Sequence, residues 1–438
     1  MNYLHDNVFL TTETAQALYH ETAKKLPIID FHTHLPQSEI LADHRFENLW
    51  ELWLKHDHYK WRLMRGCGID EARITGDASP WEKFEAFASI MPLAVGNPVH
   101  HWAHLELKRV FNIDLILNSE NAATIWDSAN QQLSERSELS VQGLLESFNV
   151  ELVCTTDDPT SDLTTHSNIN NSEIFTKTYP TFRPDRFTAN DPEAIHELGA
   201  LVGYEISSHE LLINALKERH DHFHENGCRL SDHGIPHMPD LDSDAFDILK
   251  NVARWNKQRG WTMQLHLGPQ RNVNTAMSAI TGRDSGFDTM GSWPQTASLI
   301  DALNALNEAG YLGKTIVYNL NPNESEAICC ALQNFQNNTA KGLVQYGPAW
   351  WHMDHVRGIR EQMDILTSLG AIGTSVGMLT DSRSFTSYVR HEYYRRLLCQ
   401  YIGDAAEAGE MPNEPSTLHQ LIADICYYNA KNYFNWSS

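Results

Sequence analysis

Short apolar runs rich in β-branched residues recur along this chain, separated by stretches whose apolar positions repeat every three or four residues. That alternation is the pattern of βα units feeding a parallel sheet. Eight strand-like runs stand out, at 27–35 (PIIDFHTHL), from 150 (VELVCTTDDP), 174–184 (IFTKTYPTFRP), 227–234 (GCRLSDHG), 262–268 (TMQLHLG), 314–322 (KTIVYNLNP), 342–351 (GLVQYGPAWW) and 371–383 (AIGTSVGMLTDSR). A helix-like stretch carrying Ala15, Leu18, Tyr19 and Thr22 at helical spacing precedes the first run, and residues 416–434 read as a closing helix. Residues 36–149 show helical periodicity, many Trp and His, and a length no ordinary βα loop needs, which predicts a helical insertion. The expected organisation is therefore an N-terminal helix and first strand (1–35), the insertion (36–149), and the remaining βα units with C-terminal helices (150–438). Eight strands alternating with helices predict an α/β fold of the closed (β/α)8 TIM-barrel type. No G-x-G-x-x-G follows any of the runs, which disfavours a dinucleotide-binding sheet.

In a barrel, polar groups that do chemistry sit where strands emerge at the C-terminal face, and residues two apart on a strand point the same way. His32 and His34 end the first run on a shared face, with Ile29, Phe31, Thr33 and Leu35 expected to point at the surrounding helices. Thr262, Gln264 and His266 form the expected inward face of the fifth run, and Asp381 and Arg383 end the eighth. Two imidazoles, a third imidazole and a carboxylate converging on one axis suit a single divalent ion such as zinc. Asn319 in the sixth run stands where a second ion would want a histidine. His266 could equally be a core histidine, and Asp381 a helix cap beside Ser382 and Ser384. Arg183, Arg271 and Arg383 all follow strand ends, and three guanidinium groups at one mouth fit a ligand bearing a carboxylate. Trp50, Trp53 and Trp61 in the insertion read as helix packing, while His58 and Tyr59 beside them could bring titratable groups from a lid. Trp350 and Trp351 could floor a sugar-sized pocket.

Charge narrows the function classes. Against 56 Asp+Glu the 438 residues carry 33 Lys+Arg, a formal net charge of −23, which argues against a nucleic-acid or anionic-membrane surface. A small anionic substrate stays possible, because a few arginines can reverse the local potential. The N-terminal residues lack a basic region followed by an apolar run, and no stretch is apolar enough to span a bilayer, so a cytoplasmic protein is expected. The seven cysteines are scattered without a C-x-x-C, which predicts reduced thiols.

FHTHL, HDHYKWRLMRG, TFRPD, TMQLHLG followed by RN, and above all SVGMLTDSRSFTSYVRHEYYRRLLC together resemble the uronate (glucuronate) isomerases of the amidohydrolase superfamily. The resemblance runs from about residue 20 to the C-terminus. It implies a distorted (β/α)8 barrel that interconverts D-glucuronate with D-fructuronate and D-galacturonate with D-tagaturonate in hexuronate catabolism. It also implies one divalent ion, expected to be zinc, on His32, His34 and Asp381, with His266 as ligand or substrate contact. Arg183, Arg383 and Arg271 would surround the uronate, with His58 and Tyr59 near its reacting end and Asp381 as the base for the C2 proton. The expected assembly is a homo-oligomer. A metal-dependent hydrolase of a lactone or amide would use the same ligands, so fold alone leaves that alternative open.

Overall fold

The computed structural model describes residues 3–436. Seven of the expected runs contain strands: β1 (Ile28–Asp30), β2 (Val150–Cys154), β3 (Lys177–Tyr179), β4 (Leu230–Ile235), β5 (Thr262–Leu267), β6 (Thr315–Asn319) and β7 (Val344–Tyr346). All pair in parallel and in chain order, β1-β2-β3 in one sheet and β4-β5-β6-β7 in the other. Phe182 stitches the sheets together: its N–H donates to the Leu230 carbonyl at 3.1 Å and its carbonyl accepts from Asp232 at 2.9 Å. Residues 376–382 run beside β1 on the other flank, with Asp381 N donating to His32 O and His34 N donating to Ser382 O. This order is consistent with a distorted (β/α)8 barrel.

The eighth run, 371–383, is not a strand. It opens with a 3₁₀ turn, Ile372–Thr374, and continues as irregular extended chain. Gly377 (φ +81°) and Asp381 (φ +51°) lie in the left-handed region, where a ladder cannot continue, and a Cβ at position 377 would collide with the Ile425 carbonyl. The third run shrinks to three residues because Pro180 has no N–H for the ladder. The closing helix is really two α-helices, Pro415–Ala423 and Asn429–Tyr433, joined by a π-helical turn over Asp424–Tyr428.

Between β1 and β2 the chain is helical throughout its regular structure. The helix His58–Gly66 starts there because the Asp57 side chain accepts from the N–H groups of Tyr59 and Lys60. Trp53 is buried and Trp50 packs against the same apolar cluster, which also includes helix Val389–Ala408. A second cluster covers the outer faces of β4 to β7 and takes in Met263 and Leu265. A third draws Ile29, Phe31, Leu152, Leu230, Ile316 and Tyr318 from both sheets together with Tyr433 and Phe434, so it fills the space between the sheets. Ile29 and Phe31 therefore face the interior rather than the helices. The alternation slips because the β1 register is irregular at Ile28/Ile29 and the strand ends at Asp30.

Candidate active site

The carboxylate of Asp381 stands at the centre of the site. Its Oδ1 lies 3.1 Å from Nε2 of both His32 and His34, and its Oδ2 accepts a 2.8 Å hydrogen bond from the Tyr59 hydroxyl. The backbone explains this convergence: residues 376–382 bond to the extension of β1, so the first and last staves place these side chains together. Behind them sits Asp232, fully buried on β4. It faces His32 Nδ1 at 3.7 Å, His266 Nδ1 at 2.6 Å and an Arg183 Nη1 at 3.1 Å. Asp232 lies in a run expected to be a strand but outside the residues that the sequence singles out for chemistry. The available signal was its position in a parallel ladder beside the inward face of β5, where it pairs with Gln264.

Burial raises the Asp381 carboxyl, but the bonds from His32 and His34 outweigh that and hold it well below the usual carboxylate range. Asp232 is likewise pushed up by burial and pulled well below its ordinary value by Arg183, His266 and His32. Burial lowers the His34 imidazole to about 4 against the opposing pull of Asp381. His32 differs: burial lowers it, but Asp232 and Asp381 together leave it raised. Burial and then the Asp381 charge push the Tyr59 phenol well above 10, so it stays a hydrogen-bond donor at neutral pH. Burial and the Arg383 charge lower His58, and burial lowers His266 despite Asp232 beside it.

These groups face a cavity of about 410 Å³ whose lining includes His32, His34, His58, Arg183, His266, Arg271, Trp350, Trp351, Asp381 and Arg383. Tyr59 lies just behind that wall, its ring stacked on His58 at 4.5 Å. Ten of the eleven residues singled out from sequence thus line one space and the eleventh backs it. Their states differ. Arg183 is already engaged by Asp185 and Asp232, and Arg271 stands 3.5 Å from Asp284 and Asp288 with its guanidinium over the Trp351 ring. Arg383 has no hydrogen-bond or ion-pair partner among the described residues and is available to an anion. Trp350 meets His266 edge to face at 4.4 Å, and Tyr318 stacks on the same imidazole at 4.1 Å. Asn319 points elsewhere: its amide donates to Asn321 O and Ser325 Oγ and borders a separate cavity. Tyr318, not Asn319, is the β6 residue that reaches the site.

The donor set fits a small divalent cation. Nε2 atoms of His32 and His34 and a carboxylate oxygen of Asp381 lie within 4.8 Å of one another. The two 3.1 Å separations are close to the ligand–ligand edges expected when bonds of about 2.1 Å radiate tetrahedrally. Asp232 stands 3.7 Å from His32 Nδ1, on the edge of that ring away from Asp381. His32, Asp232 and His266 make a second possible trio, but Asp232 already carries the Arg183 guanidinium.

The chain is similar to known proteins along nearly its whole length. The glucuronate isomerase family profile matches residues 1–250 and 245–434. The uronate isomerase of Phocaeicola vulgatus is 43% identical over a 467-position alignment that covers 99% of this chain and 100% of the relative. The crystal structure of uronate isomerase from Thermotoga maritima superposes with a TM-score of 0.91 at 31% identity, covering 99% of each chain. That of glucuronate isomerase from Caulobacter crescentus superposes with a TM-score of 0.89 at 23% identity, over 99% of this chain and 97% of the other, a likeness of fold.

Proposed function

The chain belongs to the glucuronate isomerase family, and from that premise we propose how its side chains carry a uronate from aldose to ketose. Its substrates are D-glucuronate, converted to D-fructuronate, and D-galacturonate, converted to D-tagaturonate. The carboxylate at C6 is taken by Arg383 and Arg271, with Arg183 beneath them, through charge-assisted hydrogen bonds. Trp350 and Trp351 give the ring-opened sugar an apolar wall. His266 acts as a substrate contact: its Nδ1 edge stands 2.6 Å from the Asp232 carboxylate as an ion pair, its Nε2 is buried without a hydrogen-bond partner, and the residue lines the cavity.

The observation that carries the chemistry is the division of labour between the two oxygens of Asp381. Oδ1 belongs to the histidine side, and Oδ2 is held in place by the Tyr59 hydroxyl. One residue can therefore remain anchored through one oxygen and exchange a proton through the other. Asp381, ionised at neutral pH, takes the proton from C2 as the C2–H bond breaks and the C1 carbonyl accepts the electron pair, giving a cis-enediol. The same carboxyl returns the proton to C1 while the C2 oxygen becomes the ketone. Tyr59 and His58 move the hydroxyl proton from the C2 oxygen to the C1 oxygen, Tyr59 from a phenol held protonated and His58 from an imidazole held neutral. A divalent ion on His32, His34 and Asp381, which we propose is zinc, would supply positive charge favouring the oxygen on which negative charge develops.

Incubation with D-glucuronate is expected to yield the ketose, with solvent deuterium entering at the transferred carbon. Complete retention of the substrate hydrogen would replace proton transfer by a hydride shift. A lactone panel run in parallel tests hydrolysis, which the relatives' isomerase activity does not favour. Metal analysis is expected to return one zinc per chain. No helix among the described residues is long and apolar enough to cross a membrane, and all seven cysteines are free, which supports our placing the enzyme in the cytoplasm. We propose a homo-oligomer, with Leu93 and Val95 exposed side by side as support, checked by sedimentation.

A further inference from the structure

The segment HDHYKWRLMRG brings His58 and Tyr59 to the site but leaves two arginines without a part in the reaction. Arg62 and Arg65 are three residues apart on helix His58–Gly66, so both project from one face. That face meets the loop after β5. This loop is closed at its base by the antiparallel pair of Pro269–Gln270 with Thr289–Met290, and it carries Arg271. Arg62 donates to the Asp288 carbonyl, and Arg65 donates through Nη1 to the Ser285 carbonyl. The other edge of the Arg65 fork is fixed by Glu71, with Nε and Nη2 donating at 2.8 and 2.7 Å, and its plane lies 4.2 Å over the Phe287 ring. Between these contacts Gly286 adopts φ +92°, where a Cβ would come within 2.9 Å of the His58 carbonyl and 3.0 Å of Arg65 Nη1. On the far side of the loop Asp288 is buried. Its Oδ1 accepts from the Asn272 N–H at 2.7 Å, and its Oδ2 stands 3.5 Å from Arg271.

An unbroken series of contacts thus runs from the helix that presents His58 and Tyr59, through Arg65 and Arg62, to residues 285–288, and on through Asp288 to Arg271. We propose that Arg65 is a positioning residue for substrate capture. It clasps the Arg271 loop onto the catalytic helix and so sets the distance between the guanidinium that holds the uronate carboxylate and the groups that move protons at the other end. This rests on the reading of Arg271 as a carboxylate contact. A six-carbon acid bridging two ends of a site is sensitive to their separation, so loosening the clasp weakens capture before it touches chemistry.

The test is a double-mutant cycle on the intact enzyme with D-glucuronate, using Arg65→Met, Arg271→Met and the pair, each checked for an unchanged melting profile. Arg65→Met is expected to raise KM about tenfold while kcat stays within about threefold, the signature of lost binding rather than lost chemistry. Because Arg65 acts through Arg271, the double variant should have the KM of Arg271→Met alone, whereas independent effects would multiply. Gly286→Ala, which keeps the Arg65 side chain but sets a Cβ against its Nη1 and against the His58 carbonyl, should push the loop off the helix and reproduce the KM rise should Arg65→Met not fold. A normal KM in Arg271→Met overturns the reading of Arg271 and the clasp with it. An impaired Arg271→Met together with a normal KM in Arg65→Met and Gly286→Ala, or with multiplicative effects in the pair, overturns the clasp alone.

Discussion

Asp381 sits at φ +51°, a backbone state that costs an Asp energy and turns its carboxylate toward both His32 and Tyr59. Asn at this position keeps the shape and the left-handed preference but removes the carboxylate proposed as base, so Asp381→Asn isolates the chemistry. Its kcat should fall about 10²–10⁴-fold, while uronate binding measured by calorimetry persists through the arginines. Near-normal kcat would assign the C2 proton to another group. His32 offers a second measurement. Asp232 and Asp381 raise its imidazole above the ordinary 6.5 against the lowering effect of burial. The folded protein therefore holds that proton more tightly than the unfolded chain, and the stabilisation is fully present below about pH 6.5 and lost as pH climbs through the folded value. In chelator-stripped protein, Tm should fall from pH 6.5 upward more steeply than in His32→Gln. Parallel slopes would remove His32 as the group responsible. The meeting of His32, His34 and Asp381 was legible because H-x-H follows the first apolar run and Asp381 closes the last one, even though neither segment is itself a strand. Asp232 was not, because its role appears only when β4 is set in register against β5.

At the scale of elements, a clear apolar or alternating run is enough to locate a strand, and for β5 almost to the residue. The last stave was misread because its apolar residues look like strand while its conformation is set by distant partners. Asp30, fully buried at the end of β1, accepts from the Thr380 N–H at 3.0 Å and from the Thr380 hydroxyl at 2.5 Å. Those two bonds substitute for a ladder at the residue before Asp381, and no local pattern announces them. Asp30→Ala leaves the Thr380 donors buried without acceptors, a loss of about 2–4 kcal/mol. The expected outcome is a lower Tm together with reduced kcat, since Asp381 loses its anchor on the adjoining residue. A variant with lower Tm and normal kcat would show that the backbone bond from Asp381 N to His32 O suffices to hold the base.

The whole molecule presents two electrostatic scales to its substrate. Composition gave the outer one, a net charge of −23; only the folded chain reveals the inner one, a cavity where Arg183, Arg271, Arg283 and Arg383 face Asp284 and Asp381. A uronate anion approaching from solvent is first repelled and then held. The two effects respond differently to salt. The Debye length shrinks from about 30 Å at 0.01 M to about 8 Å at 0.15 M, so the repulsion spread over the surface is screened out across that range. Contacts with Arg383 inside the cavity act over a few ångströms, well under a Debye length, and they are screened much less. KM for D-glucuronate should therefore fall as ionic strength rises from about 0.01 to 0.15 M. Arg383→Ala should show a higher KM at every point with the same downward trend, because it removes the inner hold and leaves the outer repulsion in place. A KM that rises over this interval would mean that the cavity arginines already govern the approach from outside, and that the acidic surface plays no part in admitting the substrate.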